Sequence, residues 1–117
     1  MSLEKFDPLK KAGADISGSL ARFCQNEEMY LKFLKMFSAN EEMPLLQIAL
    51  KEENLQDIIT YAHTLKGVSG NLGLTPLFEL YSSIVNSGRA NDLTKIKEIE
   101  PQLTARYKEF DKILKQL

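Results

Sequence analysis

The segment His63-Thr-Leu-Lys66-Gly67-Val-Ser69-Gly70-Asn71-Leu72-Gly73 concentrates the residues of this chain that can do chemistry. It holds the only histidine among 117 residues. A neutral imidazole is a competent nucleophile near physiological pH, because its unperturbed pKa is about 6.5. A ring nitrogen of this kind can accept a phosphoryl group. Helical spacing sets Lys66 at i+3, Gly67 at i+4 and Gly70 at i+7 from His63, so all share its face. A cation one turn away stabilises the negative charge that a phosphoryl group brings. Each interior glycine costs a helix about 1 kcal/mol relative to alanine. Two of them beside a reactive ring leave bare backbone that a partner's active site can approach closely. Alone, such a histidine is ordinarily a surface residue and such a lysine a solvated one. Close helix packing is the other use of the glycines, and Gly73 reads as a helix C-cap in either case.

What the chain lacks narrows the chemistry. No glycine-rich loop with its lysine and hydroxyl residue is present, so no nucleotide site is evident. No acidic residue stands at i±3 or i±4 from His63, so no built-in base shares its face. One histidine and one distant cysteine, Cys24, cannot supply a typical metal site. The pairs Glu27-Glu28, Glu41-Glu42 and Glu52-Glu53 point in different directions on a helix and form no acid/base couple. His63 therefore reads as a substrate for another protein's catalysis, and no cofactor of its own is expected.

The length suits one domain with one hydrophobic core. Hydrophobic residues at 44% and charged residues at 26% are those of an ordinary globular protein. A net charge of −1 argues against nucleic-acid binding. No apolar run approaches a membrane span and the start has no signal-peptide pattern, so no membrane insertion is expected. Cys24 cannot form an internal disulfide, which suits the cytoplasm, and it reads as a small buried hydrophobe. A monomer is expected. Met1-Ser2-Leu3 is either a natural start or a vector scar; in the second case the domain has been cut from a larger protein.

The elements that must position His63 are helical nearly everywhere. Asp15 caps a short helix with Ile16, Leu20 and Phe23, and Asn26 caps the next. There Tyr30, Phe33, Leu34 and Phe37 form an apolar stripe that should be core. Ser38-Ala39-Asn40 is a break. Glu41 to Glu53 follows as a helix with Pro44 in its first turn and Leu45, Leu46, Ile48 and Ala49 inward. Asn54 caps the central helix, whose core side carries Leu55, Ile58, Ile59, Ala62 and Leu65, with His63 at the edge of the apolar arc. Thr75-Pro76 opens a helix lined by Leu77, Leu80, Tyr81, Ile84 and Val85, which Ser87-Gly88 closes. Asn91 or Asp92 starts a last amphipathic helix through Leu103, Tyr107, Phe110, Leu114 and Leu117, with Pro101 expected to kink or interrupt it. The charges of Lys95 to Glu100 read as a solvated face. No segment alternates at period two, so no sheet is expected. Short loops favour antiparallel neighbours.

The eleven-residue segment from His63 to Gly73 resembles the signature of histidine-containing phosphotransfer (HPt) domains, and Leu20 to Leu31 resembles the helix pair that precedes it there. The resemblance runs from about Asp15 to Gly88, with a final helix of the expected kind. It implies an all-α, up-down antiparallel four-helix bundle with an additional short N-terminal helix, filling residues 1–117. It implies that His63 accepts a phosphoryl group from the aspartyl phosphate of a response-regulator receiver domain and passes it to another. By position, Lys66 carries over as the phosphate-stabilising cation and Gly67 and Gly70 as the docking surface. Arg89 matches a basic residue that some members carry after the next helix. The divalent metal of the reaction belongs to the receiver, and the partners are receiver domains and a hybrid sensor histidine kinase; the domain is either free in the cytoplasm or excised from the cytoplasmic portion of such a membrane-anchored kinase. Several members place a glutamine on the following helix to hold the imidazole; the matching position here is Val85, with Ser82 and Asn86 as polar neighbours.

Three other readings stand beside this one. A chemotaxis-type kinase substrate would be phosphorylated first by an attached or neighbouring ATP-binding domain. A plain helical adaptor would bind a partner helix without covalent chemistry. An enzyme has least support, because neither a nucleotide site nor an internal base is found.

Overall fold

The computed structural model describes residues 2–117; Met1, and with it part of the reading of the first three residues, lies outside them. No strand occurs among the described residues. A 3-10 turn, Ser2–Phe6, leads into α1 (Asp7–Lys11), and α2 (Ile16–Arg22) follows. Then come α3 (Glu27–Ser38), α4 (Glu42–Glu52), α5 (Leu55–Asn71), α6 (Thr75–Arg89) and α7 (Leu93–Leu114). The first turn and α1 are additions to the sequence reading, which expected one short helix at this end. They are held by Phe6 and Leu9, both buried, with the Phe6 ring 5.3 Å from that of Tyr30.

The helix starts follow the capping residues. Asp15, Asn26, Asn54 and Asp92 each accept a hydrogen bond from the backbone N–H three residues on, at 3.0 to 3.2 Å. Asn40 does the same for Met43 at 2.8 Å, so the break at residues 38–40 also supplies a cap. Thr75 is not a cap: it is the first residue of α6, and its hydroxyl donates to Gly73 O at 3.4 Å.

The central helix α5 packs between α4 and α6; α6 packs on α7, and α7 on α3 and α1. Its inward residues are Ile58, Ala62, Leu65 and Ser69, while Leu55 and Ile59 are half-buried. Three expected core positions are corrected. Phe33 is 40% exposed, because Tyr30, Leu34 and Phe37 already fill the inner face of α3. In α4, Leu45 and Ile48 face solvent and Met43, Leu46, Ala49 and Leu50 face the core. The Tyr81 hydroxyl lies 3.4 Å from Met43 Sδ, which fixes that rotation. Cys24 is exposed, not buried; it sits with Gln25 in a left-handed turn between α2 and α3 (φ 54° and 61°).

Two helix ends also differ from expectation. Gly88 lies inside α6 and is buried; a Cβ there would stand 2.6 Å from Ile59 Cγ1, so this glycine permits the close approach of α5 and α6. Pro101 does not interrupt α7. Lys97, whose carbonyl loses its N–H partner, and Pro101 itself are both exposed, so the missing bond falls on the solvent side of the helix. Ile96 and Ile99 before it and Leu103 after it are buried and hold the helix in register.

Gly73 is the tightest point of the chain path. Its φ is +75°, and a Cβ would meet Ser19 Oγ and the Asp15 carbonyl. The Asp15 N–H donates to Gly73 O at 2.8 Å, tying α2 to the end of α5. Gly73→Ala should therefore lower stability by about 2 kcal/mol or more in chemical denaturation. An unchanged midpoint would show that the contact yields. Pro101→Ala should raise stability by about 1 kcal/mol or more in the same assay, since it restores a helical hydrogen bond. A loss would mean that the proline is required by the fold.

Candidate functional site

The inward residues of α5 recur at spacings of four, three and four, which fixes the rotation of that helix. His63 and Gly67 consequently face solvent, and Lys66 is half-buried at the margin. His63, Lys66, Gly67 and Gly70 line one open depression, together with Arg22 from α2 and Phe78 from α6. Four of the five candidate residues are thus brought together. The fifth, Arg89, is exposed at the end of α6 and does not line the depression.

The two glycines turn out to differ. A Cβ on Gly70 would stand 2.8 Å from Phe78 Cδ1, so this glycine seats the aromatic ring of the next helix. A Cβ on Gly67 would meet nothing within 4 Å. The fold does not need Gly67 to be bare, yet a glycine in the middle of a helix costs about 1 kcal/mol.

Among the described residues no side chain hydrogen-bonds the imidazole of His63. Val85 is fully buried in the core. The Ser82 hydroxyl donates to Phe78 O at 2.8 Å within its own helix. Thr64 donates to Thr60 O at 3.2 Å, also locally. Ser69 is buried and donates to Lys66 O at 3.2 Å.

The C-terminal end of α5, which forms one end of the depression, is held from three directions. The Tyr30 hydroxyl donates to Leu72 O at 2.7 Å in the interior. Burial pushes the pKa of that phenol up, so it stays protonated and keeps donating. Asp15 N–H bonds Gly73 O, as above. Arg22 reaches across from α2: its Nε donates to Asn71 O at 3.1 Å, and Nη2 donates to Gly70 O at 3.2 Å and Ser19 Oγ at 3.0 Å. The sequence reading did not single out Arg22. Its signal is that α5 has no basic residue in its last turn, whereas α3, α4, α6 and α7 each have one.

A second groove, between α3 and α5, adjoins the first and shares Gly67 and Asn71 with it. Phe33, Met36 and Val68 line it and are exposed. Among the described residues no cluster of three His, Cys, Asp or Glu side chains could hold a metal ion, and no helix is long and apolar enough to cross a membrane.

Comparisons with curated proteins and with solved structures return no match. A family model described as the Hpt domain matches residues 32–113, a stretch that contains α4, α5 and α6 whole and most of α3 and α7. The match covers well over half of the chain and has the exposed lone histidine near its middle: the protein belongs to the Hpt domain family, the helical phosphotransfer carriers of two-component phosphorelays.

Proposed function

We propose that this protein carries a phosphoryl group on His63 between receiver domains of a phosphorelay. The observation that carries this reading is Gly67. It is a helix-interior glycine with open space where its side chain would be, one turn from the only histidine. Packing gives no reason for it; the approach of a partner's active site does.

In the step proposed, the unprotonated ring nitrogen of His63 attacks the phosphorus of an aspartyl phosphate on the receiver. An N–P bond forms, the P–O bond to the aspartyl carboxylate breaks, and the carboxylate leaves with the electron pair. The proton on the other ring nitrogen stays with the ring. Onward transfer to a second receiver is the reverse. Lys66, one turn away, offsets the charge that the phosphoryl group brings to the surface. The partner supplies its divalent ion and acidic pocket, so this chain needs no nucleotide site or base of its own. Gly67 leaves room for that pocket, Gly70 seats Phe78 beside it, and the exposed Phe33, Met36 and Val68 extend the contact surface. Arg89 stands outside the depression and takes no part in this step.

We read the bundle as four-helix and up-down, with α3 and α4 together forming its first arm and α5, α6 and α7 the other three. The bond from Tyr30 to Leu72, which joins the start of α3 to the end of α5, supports that direction. We take the protein to act as a monomer in the cytoplasm; an exposed, unpaired Cys24 suits a reducing compartment.

Incubation with a phosphorylated receiver, drawn from a broad panel, should label the wild type, and His63→Gln should abolish the label. Equal labelling of the variant would move the acceptor elsewhere. Lys66→Ala should slow transfer or shorten the lifetime of the phosphohistidine by about tenfold, the scale of one charge-assisted hydrogen bond. No change in either would remove its role. Gly67→Leu should leave the fold intact or stabilise it by up to about 1 kcal/mol. The same change should cut transfer by roughly tenfold to a hundredfold, because the partner can no longer reach near-attack geometry. Unimpaired transfer in that variant would contradict the docking role.

A further inference from the structure

Closing the end of α5 does not account for the whole of Arg22. Its guanidinium is exposed yet fixed in place by three hydrogen bonds, to Asn71 O, Gly70 O and Ser19 Oγ. Those bonds use Nε and Nη2; among the described residues Nη1 has no acceptor and no carboxylate pairs with the guanidinium. A planar fork held in this way has little rotamer freedom left to lose when it binds. It also borders the same depression as His63 and Lys66.

The electrostatics of α5 make that position consequential. A helix presents a partial negative charge at its C-terminus. Here that end forms part of the surface offered to a partner, and α5 carries no basic residue in its own last turn. Without Arg22, an anionic partner site would meet bare carbonyls at Gly70 and Asn71. With it, the same end presents a full positive charge. The one acidic group beside it in the depression, Asp15, has its carboxylate turned to the Gly18 N–H at 3.0 Å, as a helix cap.

Arg22 is not placed to touch the transferred group. From His63 to Gly70 the helix rises roughly 10 Å. It also comes from α2, which lies before the family match at residues 32–113. We propose that Arg22 is a specificity-determining docking residue: its preorganised guanidinium, at the far end of the depression from His63, pairs with an acidic side chain on the receiver domain. This rests on the reading of His63 as phosphoacceptor. Receivers with a carboxylate at the facing position gain from it; those with a cation there are rejected.

The test measures transfer from a receiver domain phosphorylated by a small-molecule phosphodonor, using the receiver of a panel that labels the wild type best. Rates are taken against receiver concentration at several ionic strengths. Arg22→Gln retains a side-chain N–H donor at the position of Nε, which bonds the Asn71 carbonyl, but loses the charge. It should raise the half-saturating receiver concentration about tenfold, leave the maximal rate within about twofold, and flatten the salt dependence. Arg22→Lys should fall between the two, with the salt dependence kept. Thermal melts of each variant separate these effects from loss of fold. An unchanged half-saturation and salt dependence in a folded Arg22→Gln overturns this inference alone. So does a Lys variant that behaves like the Gln variant, because the charge would then be irrelevant. A wild type that no receiver labels overturns the phosphoacceptor reading, and this inference falls with it.

Discussion

The rotational setting of α5 is the constraint on which the rest of the structure depends. Ile58, Ala62, Leu65 and Ser69 are buried between α4 and α6 and leave the helix one rotation. Each buried aliphatic side chain contributes on the order of 2 kcal/mol, so turning the helix to hide His63 would cost several times the price of any surface contact. His63 is therefore exposed as a consequence of what its neighbours bury. Lys66 at the margin and Gly67 beyond it follow from the same rotation.

Holding that rotation requires a fixed end. Gly73, in a left-handed conformation, lets the chain turn so closely that α2 rests on it, and Asp15, Arg22 and Tyr30 all bond the carbonyls of the last turn and its cap. The segment before the family-matched region thus has two consequences. It satisfies carbonyls that α5 would otherwise leave bare, and it forms one wall of the surface around the histidine. The group that closes the helix also places a positive charge at the edge of the depression that His63 lines.

Much of this was legible in the sequence because the signals were local. Asp15, Asn26 and Asn54 announce helix starts that the structure bears out, and of Asn91 and Asp92 it is Asp92 that caps α7, since a cap acts over three residues. The all-helical fold followed from periodicity. Where two faces of a helix satisfy the same spacing, as Leu45-Ile48 and Met43-Leu46-Leu50 do in α4, only the neighbouring helices decide. That Pro101 leaves α7 uninterrupted has a related reason: buried residues on both sides outweigh one missing hydrogen bond on the exposed side. Within the site, the shared face of His63, Lys66, Gly67 and Gly70 was legible from spacing alone. The different reasons for the two glycines were not, because Phe78 reaches Gly70 from another helix. Arg22 was missed because its partners are 48 and 49 residues away in sequence.

The central claim is that the imidazole of His63 accepts a phosphoryl group from a receiver. It is tested most directly by incubating the protein with a panel of phosphorylated receivers and mapping the modified residue by peptide mass spectrometry under conditions that preserve phosphohistidine. The account predicts one acid-labile, base-stable modification, located on His63. A modification on any other residue, or none with any receiver, would contradict it.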